Sequence, residues 1–203
     1  MTVEPDGPTP DAPAPDVPTP DGKDWTWVLE RPCPECGFDA STVSFDTIPA
    51  LTLDNADRWV QVLRSAASTT RPAPAVWSPV EYACHVRDVF LLFDTRLGRM
   101  LAEDDPQFAN CDQDRTAVEE RYDLQDPAAV SAELVDAADR ISASFAAVTD
   151  DQLDRPGRRS DGARFTVRTF GQYFIHDPTH HLWDVGNVGD NTSAGGRTPG
   201  GHP

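Results

Sequence analysis

Apolar residues recur every three or four positions between residues 127 and 148. They are Val130, Leu134, Ala137, Ile141, Phe145 and Val148. This spacing places them on one face of an α-helix, and Asp126 followed by Pro127 is typical of a helix start. A helix with one apolar face must bury that face against other elements, so the stretch predicts a helical domain.

Three further segments show the same helical period. One begins near Asp54, and a second opens with the capping pattern "SPVE" at residues 78–81. The last begins near Thr166 and is predicted to stop at Gly186, a residue type common just after helices. No segment shows a convincing strand period. We therefore predict an all-α fold, a four-helix bundle with a long crossover connection.

The two ends of the chain differ from this predicted domain. Residues 1–24 repeat proline and aspartate at short intervals, and residues 187–203 are rich in glycine, serine and threonine. Neither end has enough apolar residues to form a core, so we expect two disordered tails. The bundle and an N-terminal arm with a CxxC motif are then expected within residues 25–186.

The formal net charge is −17 at pH 7. An acidic surface repels phosphates, so nucleic acid and anionic membranes are not expected as partners. The acidic, proline-rich start is unlike a signal peptide, and no apolar run approaches the roughly 18 residues of a membrane span. We expect a cytoplasmic protein whose four cysteines are thiols or metal ligands.

Three of the five histidines lie in the segment "YFIHDPTHHLWDV" at residues 173–185. His176 and His180 are four positions apart, so they lie on one face of a helix and could share an ion. His85 lies on the apolar stripe of the second predicted helix, where an imidazole needs a partner to offset its desolvation. These three residues are our predicted ligands of a divalent metal with an open coordination position.

The same segment leaves alternatives open. His181 falls about 100° further round the helix than His180, which makes it a poorer partner for His176, and a core histidine bonded to a neighbour is the alternative role. Pro178 removes a backbone donor, so the helix must kink there or restart with Asp177 as its cap. The other histidines have the same structural alternative, a hydrogen-bonded core residue.

Cys33 and Cys36, in "CPECG", have the spacing of a zinc knuckle. A zinc ribbon needs a second pair of ligands. Cys84 and Cys111 do not suit that role, because they are far apart and Cys84 lies within a predicted helix, where we expect it to be buried. The knuckle therefore completes a metal site with other residues, is redox-active, or forms only a turn.

The segments "WSPVEYACHVRDV" and "FIHDPTHHLWDV" together resemble the DinB-like superfamily over residues 50–186, and "RPCPECGFD" and "FANCDQDRTAVEERY" are similar to an actinobacterial branch often named methyltransferase. The resemblance implies a DinB-like four-helix bundle with zinc or nickel held by a three-histidine triad. His85 matches the first motif, and His176 and His180 match the second. Pro178 departs from the commoner pattern, which leaves open whether His180 or His181 completes the triad.

Characterised members of that superfamily include thiol-dependent S-transferases and a mycothiol-dependent isomerase. The resemblance therefore implies that the metal activates the thiol of a small cofactor such as mycothiol, with an electrophile as the second substrate. Arg158 and Arg159 are our candidates for binding carboxylates of that cofactor, against the simpler alternative of a solvated basic loop.

The sequence names no catalytic residue and leaves the oligomeric state open, a homodimer included. The alternative function is a non-catalytic metal-binding module for stress response or protein interaction. A methyltransferase is not expected, because no strand leads into a glycine-rich turn that could hold a nucleotide-like cofactor.

Overall fold

A computed structural model describes residues 25–188 of the chain. Within these residues the helices are α1 (Ile48–Leu63), α2 (Pro79–Ala102), α3 (Gln113–Glu119), α4 (Pro127–Ala146) and α5 (Val167–Val188). The strands are β1 (Gln107–Phe108), β2 (Pro156–Arg159) and β3 (Arg164–Thr166). The predicted tails at 1–24 and 187–203 lie outside the described residues, except that 187 and 188 continue α5. None of the described helices has the length and hydrophobicity needed to cross a membrane.

Two of the long helices begin where the sequence predicts. At the start of α2, the backbone N–H of Ser78 donates to the Glu81 carboxylate at 2.8 Å, which completes the capping box. At the start of α4, the Asp126 carboxylate accepts from the backbone N–H groups of Ala128 and Ala129, each at 3.0 Å. A cap of this kind contributes about 1 kcal/mol, so local sequence determines both boundaries.

The start of α1 differs from the prediction. The helix begins at Ile48 and not after Asp54, because Pro49 occupies the first turn, where its fixed φ angle favours a helix and its missing N–H is not needed.

Helix α5 differs from the prediction at its end. It begins next to Thr166, as predicted, and runs through Pro178 without restarting, but it continues past Gly186. The backbone hydrogen bond lost at the proline is offset by packing on both sides of it, since Phe174, Ile175 and Leu182 are all buried.

The basic segment before α5 is a hairpin, although no strands were predicted. β2 pairs with β3 in antiparallel register, with Gly157 opposite Phe165, and β1 joins β2 in parallel, with Gln107 opposite Arg158. These strands have two to four residues each, too few for an alternating pattern to be visible in the sequence.

The four long helices form the predicted bundle with a crossover. α4 and α5 each pack against both α1 and α2, and the connection that carries β1 and α3 brings the chain from α2 to α4. An aromatic cluster fills much of the core, and it contains Phe45, Phe90, Phe93, Phe145, Phe170 and Phe174. α5 approaches α1 closely at Gly171, where a Cβ atom would lie 2.6 Å from Cδ1 of Ile48.

Residues 25–47, which we call the N-terminal segment, pack along α5. The Gln172 side-chain amide donates to the backbone carbonyls of Ala40 and Val43, at 3.1 and 3.0 Å. Helix α5 therefore has the N-terminal segment as a neighbour, besides α1 and α2.

Candidate metal centre

Helix α5 carries two pairs of metal-ligand side chains on adjacent faces. His176 and His180 form one pair with a spacing of four, and Asp177 and His181 form the other. A shift of one residue rotates a helical position by about 100°. The two pairs therefore face different neighbours.

Asp177 and His181 lie beside His85 of α2, and we call these three residues the His85 group. One potential ligand atom from each residue lies within 4.8 Å of the other two. Oδ1 of Asp177 is 3.5 Å from Nε2 of His85 and 3.7 Å from Nε2 of His181. On the other side of the His181 ring, Nδ1 lies 2.9 Å from Oδ2 of Asp184. This carboxylate fixes the ring so that Nε2 points toward the other two ligands.

His176 and His180 lie beside the two cysteines of the knuckle, and we call Cys33, Cys36, His176 and His180 the Cys33 group. One potential ligand atom from each of the four lies within 4.8 Å of the other three. Sγ of Cys33 is 3.7 Å from Nδ1 of His180, and Nε2 of the same ring is 3.3 Å from Oε2 of Glu35.

The structure therefore divides the predicted triad of His85, His176 and His180 between two groups. His181, which helical spacing made a poorer partner for His176 than His180, takes the place beside His85, with ring centroids 5.0 Å apart. The rotation of about 100° that separates His181 from His180 is the rotation that brings it to α2. The helical spacing was interpreted correctly, but packing decides which face of α5 meets α2.

Burial keeps the imidazoles of the Cys33 group neutral. Desolvation, followed by the nearby His180, lowers the pKa of His176 to about 4. Desolvation also lowers the pKa of His180, against the opposing effect of Asp184. Burial raises the pKa of the Cys36 thiol to about 11. At neutral pH both rings thus keep a lone pair available for an ion, and an ion that binds the sulfur must displace its proton.

In the His85 group, Asp177 carries the negative charge. Burial alone would raise its pKa, but the neighbouring His85 and His181 imidazoles hold the pKa below its ordinary value.

Three buried polar atoms in the two groups have no hydrogen-bond partner. They are Nε2 of His176 and the facing pair of Nε2 of His85 and Oδ1 of Asp177, which lie 3.5 Å apart as an ion-pair contact. Buried polar atoms are nearly always paired, and each orphan here is an atom type that binds divalent cations. The residues of both groups therefore fit a metal ion.

Two cavities adjoin the groups. A large one of about 460 Å³ is lined by His85 together with Val89, Leu92, Cys111 and Tyr122, among others. A small one of about 30 Å³ is lined by Trp25, Tyr173, His176, Asp177, His180 and His181. Gln113 lines both. The large cavity is within the size range of small-molecule sites, and the small one has room for a water molecule or an ion.

The two predicted cofactor-binding arginines make ion pairs within the protein. Arg158 pairs with Asp105 at 2.6 Å. Arg159 pairs with Asp161 at 2.7 Å and donates to the Tyr173 hydroxyl at 3.0 Å. Arg159 therefore reaches the wall of the small cavity through Tyr173, and the binding of a cofactor carboxylate by either arginine stays a prediction.

A model of the DinB superfamily matches residues 46–185. The chain belongs to the DinB superfamily. The solved structure of YfiT from Bacillus subtilis is similar over 75% of this chain and 91% of its own, with a TM-score of 0.65 and 18% sequence identity. YfiT is described as a probable metal-dependent hydrolase with an unusual four-helix bundle topology. At this identity the likeness shows the fold. No match was found among curated protein sequences.

The match to the DinB superfamily includes only part of the two groups. It contains all three residues of the His85 group and the histidines of the Cys33 group, but Cys33 and Cys36 precede it. In this DinB superfamily protein, the group beside α2 also has an aspartate where the resemblance implied a third histidine.

Sequence reasoning missed Asp177 as a ligand candidate and left His181 only as an alternative to His180. It also did not join the cysteine knuckle to the histidines, although a signal for that link was present. The knuckle needed two further ligands, and the chain has a histidine pair whose spacing presents two donors to one side of a helix.

Proposed function

We propose that this protein is a divalent-metal-dependent enzyme whose reaction site is the His85 group, and that it uses the thiol of a small cofactor such as mycothiol. The metal is zinc or nickel, and the reaction is transfer of the thiol to an electrophile or isomerisation of that electrophile. The proposal keeps the expectation of a cytoplasmic protein, where small thiols stay reduced.

The observation that carries the proposal is the position of His85, which belongs to the ligand group and also lines the 460 Å³ cavity. Three protein ligands leave a coordination position open, the arrangement of catalytic metal sites. The donor set of two imidazoles and one carboxylate suits zinc and other first-row ions.

Each residue around the site has a distinct role. His85 and His181 offer ring nitrogens, and Asp177 offers a negative charge. Asp184 accepts a hydrogen bond from Nδ1–H of His181 and so selects the tautomer whose Nε2 lone pair faces the group. Val89 and Leu92 give the large cavity an apolar wall that suits the carbon skeleton of an electrophile.

When bound, a divalent cation stabilises thiolate over thiol and so supplies a nucleophile at neutral pH. His85, Asp177 and His181 would hold that ion, and the thiolate would attack an electrophilic carbon of the second substrate. In a transfer, the leaving group departs with the bonding electron pair. In an isomerisation, the carbon–sulfur bond breaks again after rearrangement, and the thiol is regenerated.

A second candidate function is hydrolysis, favoured by the structural similarity to YfiT. The same three ligands could serve that reaction with water in place of the thiol. The two candidates differ in one requirement, since only the transferase or isomerase needs an added thiol.

The test measures turnover of a panel of electrophiles and esters by the zinc- or nickel-loaded protein, with mycothiol, with another small thiol and with no thiol. We expect turnover that requires both metal and thiol and is lost in His85→Ala and Asp177→Asn. Leu124→Ala serves as a control for substitution effects, because this exposed residue lies outside both groups.

Turnover of the esters without thiol would replace the transferase proposal with hydrolysis. No turnover above the metal-free control under any condition would overturn the enzyme proposal and favour the non-catalytic metal-binding module. Turnover that survives in both ligand variants would remove the His85 group from the reaction site.

A further inference from the structure

We propose that the Cys33 group binds a second ion, a structural zinc that fastens the N-terminal segment to helix α5. The site is distinct from the proposed reaction site, because the two groups share no ligand.

The donor chemistry of the Cys33 group favours zinc. Two sulfurs and two imidazole nitrogens make up the Cys₂His₂ set of structural zinc sites, in which all four tetrahedral positions are filled by protein. Soft thiolate ligands select against magnesium and calcium. The His85 group contains no sulfur, so the two groups should differ in metal preference and in spectroscopic signature.

Burial distinguishes the Cys33 group from an adventitious surface cluster. Cys33, His176 and His180 are 1%, 3% and 5% exposed, and Cys36 is half-buried. Trp25 packs over both imidazoles, with ring centroids 5.4 and 4.8 Å from those of His176 and His180. A water-excluding cover of this kind suits a structural ion, which needs no access for substrate.

The local backbone presents both sulfurs to the same side. The N–H of Cys33 donates to the carbonyl of Phe38 at 2.7 Å, and the N–H of Gly37 donates to the carbonyl of Cys33 at 2.9 Å. Gly37 has a φ of 74°, a left-handed conformation that favours glycine. The knuckle predicted from "CPECG" is therefore formed, with its turn closed by hydrogen bonds.

The carboxylate of Glu35, which is not one of the four ligands, also supports a structural zinc site. Oε2 of Glu35 lies 3.3 Å from Nε2 of His180, while Nδ1 of that ring faces Cys33. A histidine that binds a metal through one nitrogen usually donates from the other nitrogen to a carboxylate. Glu35 lies between the two cysteines, so the knuckle supplies both sulfur ligands and this orienting group.

The ion would join parts of the chain that are far apart in sequence. Cys33 and His180 are separated by 147 positions. Closing so long a loop removes much conformational freedom from the unfolded chain, so a bound ion should stabilise the contact between the N-terminal segment and α5.

The test uses cobalt as a spectroscopic substitute for zinc in the full chain. Metal-free protein is titrated with Co²⁺, and the sulfur-to-cobalt charge-transfer absorption in the near ultraviolet is followed. We expect the absorption to saturate with one equivalent of ion at the Cys33 group, to be lost in Cys33→Ser, and to persist in His85→Ala and Asp177→Asn. Cys111→Ser is the matched cysteine control, because Cys111 belongs to neither group.

Zinc content measured by plasma mass spectrometry gives the second readout. Where the proposed function also holds, the wild type carries two ions, Cys33→Ser and His85→Ala each lose one, and the double variant loses both. Where the His85 group binds no metal, the wild type still carries one zinc that only the Cys33-group variants lose. The failure of one proposal is thus distinguishable from the failure of the other.

If Cys33→Ser does not fold, the variant Cys36→His provides a second test of the zinc site. This variant retains four ligands at a half-buried position, so it should keep the zinc and weaken the charge-transfer absorption through the loss of one sulfur. Absence of the absorption in the folded wild type would overturn the proposal. The proposal would also be overturned if Cys33 and Cys36 formed a disulfide in protein purified under reducing conditions and without chelator.

Discussion

Two faces of one helix separate the proposed structural ion from the proposed reaction site. His176 and His180 face a segment that brings two thiols and covers them with Trp25, whereas Asp177 and His181 face α2, His85 and a cavity. Both pairs have the spacing of four that lets a helix offer two ligands to one ion. The spacing of ligands on a helix therefore permits a metal site. The element that packs against that face of the helix determines which ligands complete the site and whether a substrate can enter it.

Substitution of the adjacent residues His176 and Asp177, one at a time, should change metal binding and turnover the most. Asp177→Ala should reduce turnover by more than the roughly 100-fold that loss of an orienting residue costs, because it removes a ligand itself. It should leave the sulfur-to-cobalt absorption intact. His176→Ala should do the reverse, with loss of that absorption and retained metal-dependent turnover.

The measurement is metal content together with initial rates for each variant. If both substitutions remove the same single ion, His176 and Asp177 serve one site, and the division into two groups is wrong.

Asp184 tests whether the two groups are coupled. Its two oxygens lie 2.9 Å from Nδ1 of His181 and 3.7 Å from Nε2 of His180. Asp184→Asn should weaken metal binding at the His85 group by roughly 10–100-fold and at the Cys33 group by less, because the second contact is longer. Competition with a chromophoric chelator measures both affinities, and Asp136→Asn on α4 controls for the change in net charge. Equal losses of metal affinity at both groups would contradict the expectation that the shorter contact of Asp184 matters more.

Substitution of Glu35 tests the Cys33 group separately from the His85 group. Glu35→Gln should lower zinc affinity at the Cys33 group by roughly tenfold, since the carboxylate beside His180 is lost, and should not change turnover. The same chelator competition and rate assay apply. A change in turnover without a change in zinc affinity would place Glu35 in the reaction and not in the structural site.

The smallest effect concerns the arginines of β2. Arg159→Ala removes a hydrogen bond of roughly 1 kcal/mol to Tyr173, which lines the small cavity, so we expect the KM for the thiol to rise about fivefold. Arg158→Ala removes an ion pair with Asp105 and should leave that KM nearly unchanged. A larger effect of Arg158→Ala would favour direct binding of a cofactor carboxylate, as the sequence suggested.

Much of the fold could be predicted because it depends on short-range rules. The cap at Asp126, the capping box of Ser78 and Glu81, and the apolar period of α4 each act within one or two turns, and the bundle follows from four amphipathic faces. The hairpin of β2 and β3 could not be predicted, because strands of three and four residues carry too short a pattern. The passage of α5 through Pro178 depends on packing that no local rule describes.

The order of the residues is enough to say which side chains are available as ligands and how they are spaced along a helix: the histidine pair, the cysteine knuckle and His85 on an apolar stripe. Which of these ligands come together depends on how the helices and the N-terminal segment pack. Asp177 and His181 join His85, and His176 and His180 join Cys33 and Cys36, because α2 and the N-terminal segment pack on different faces of α5. Spacing fixes angles within a helix, but the rotation of that helix about its own axis is set by burial of the whole apolar surface, to which distant residues contribute.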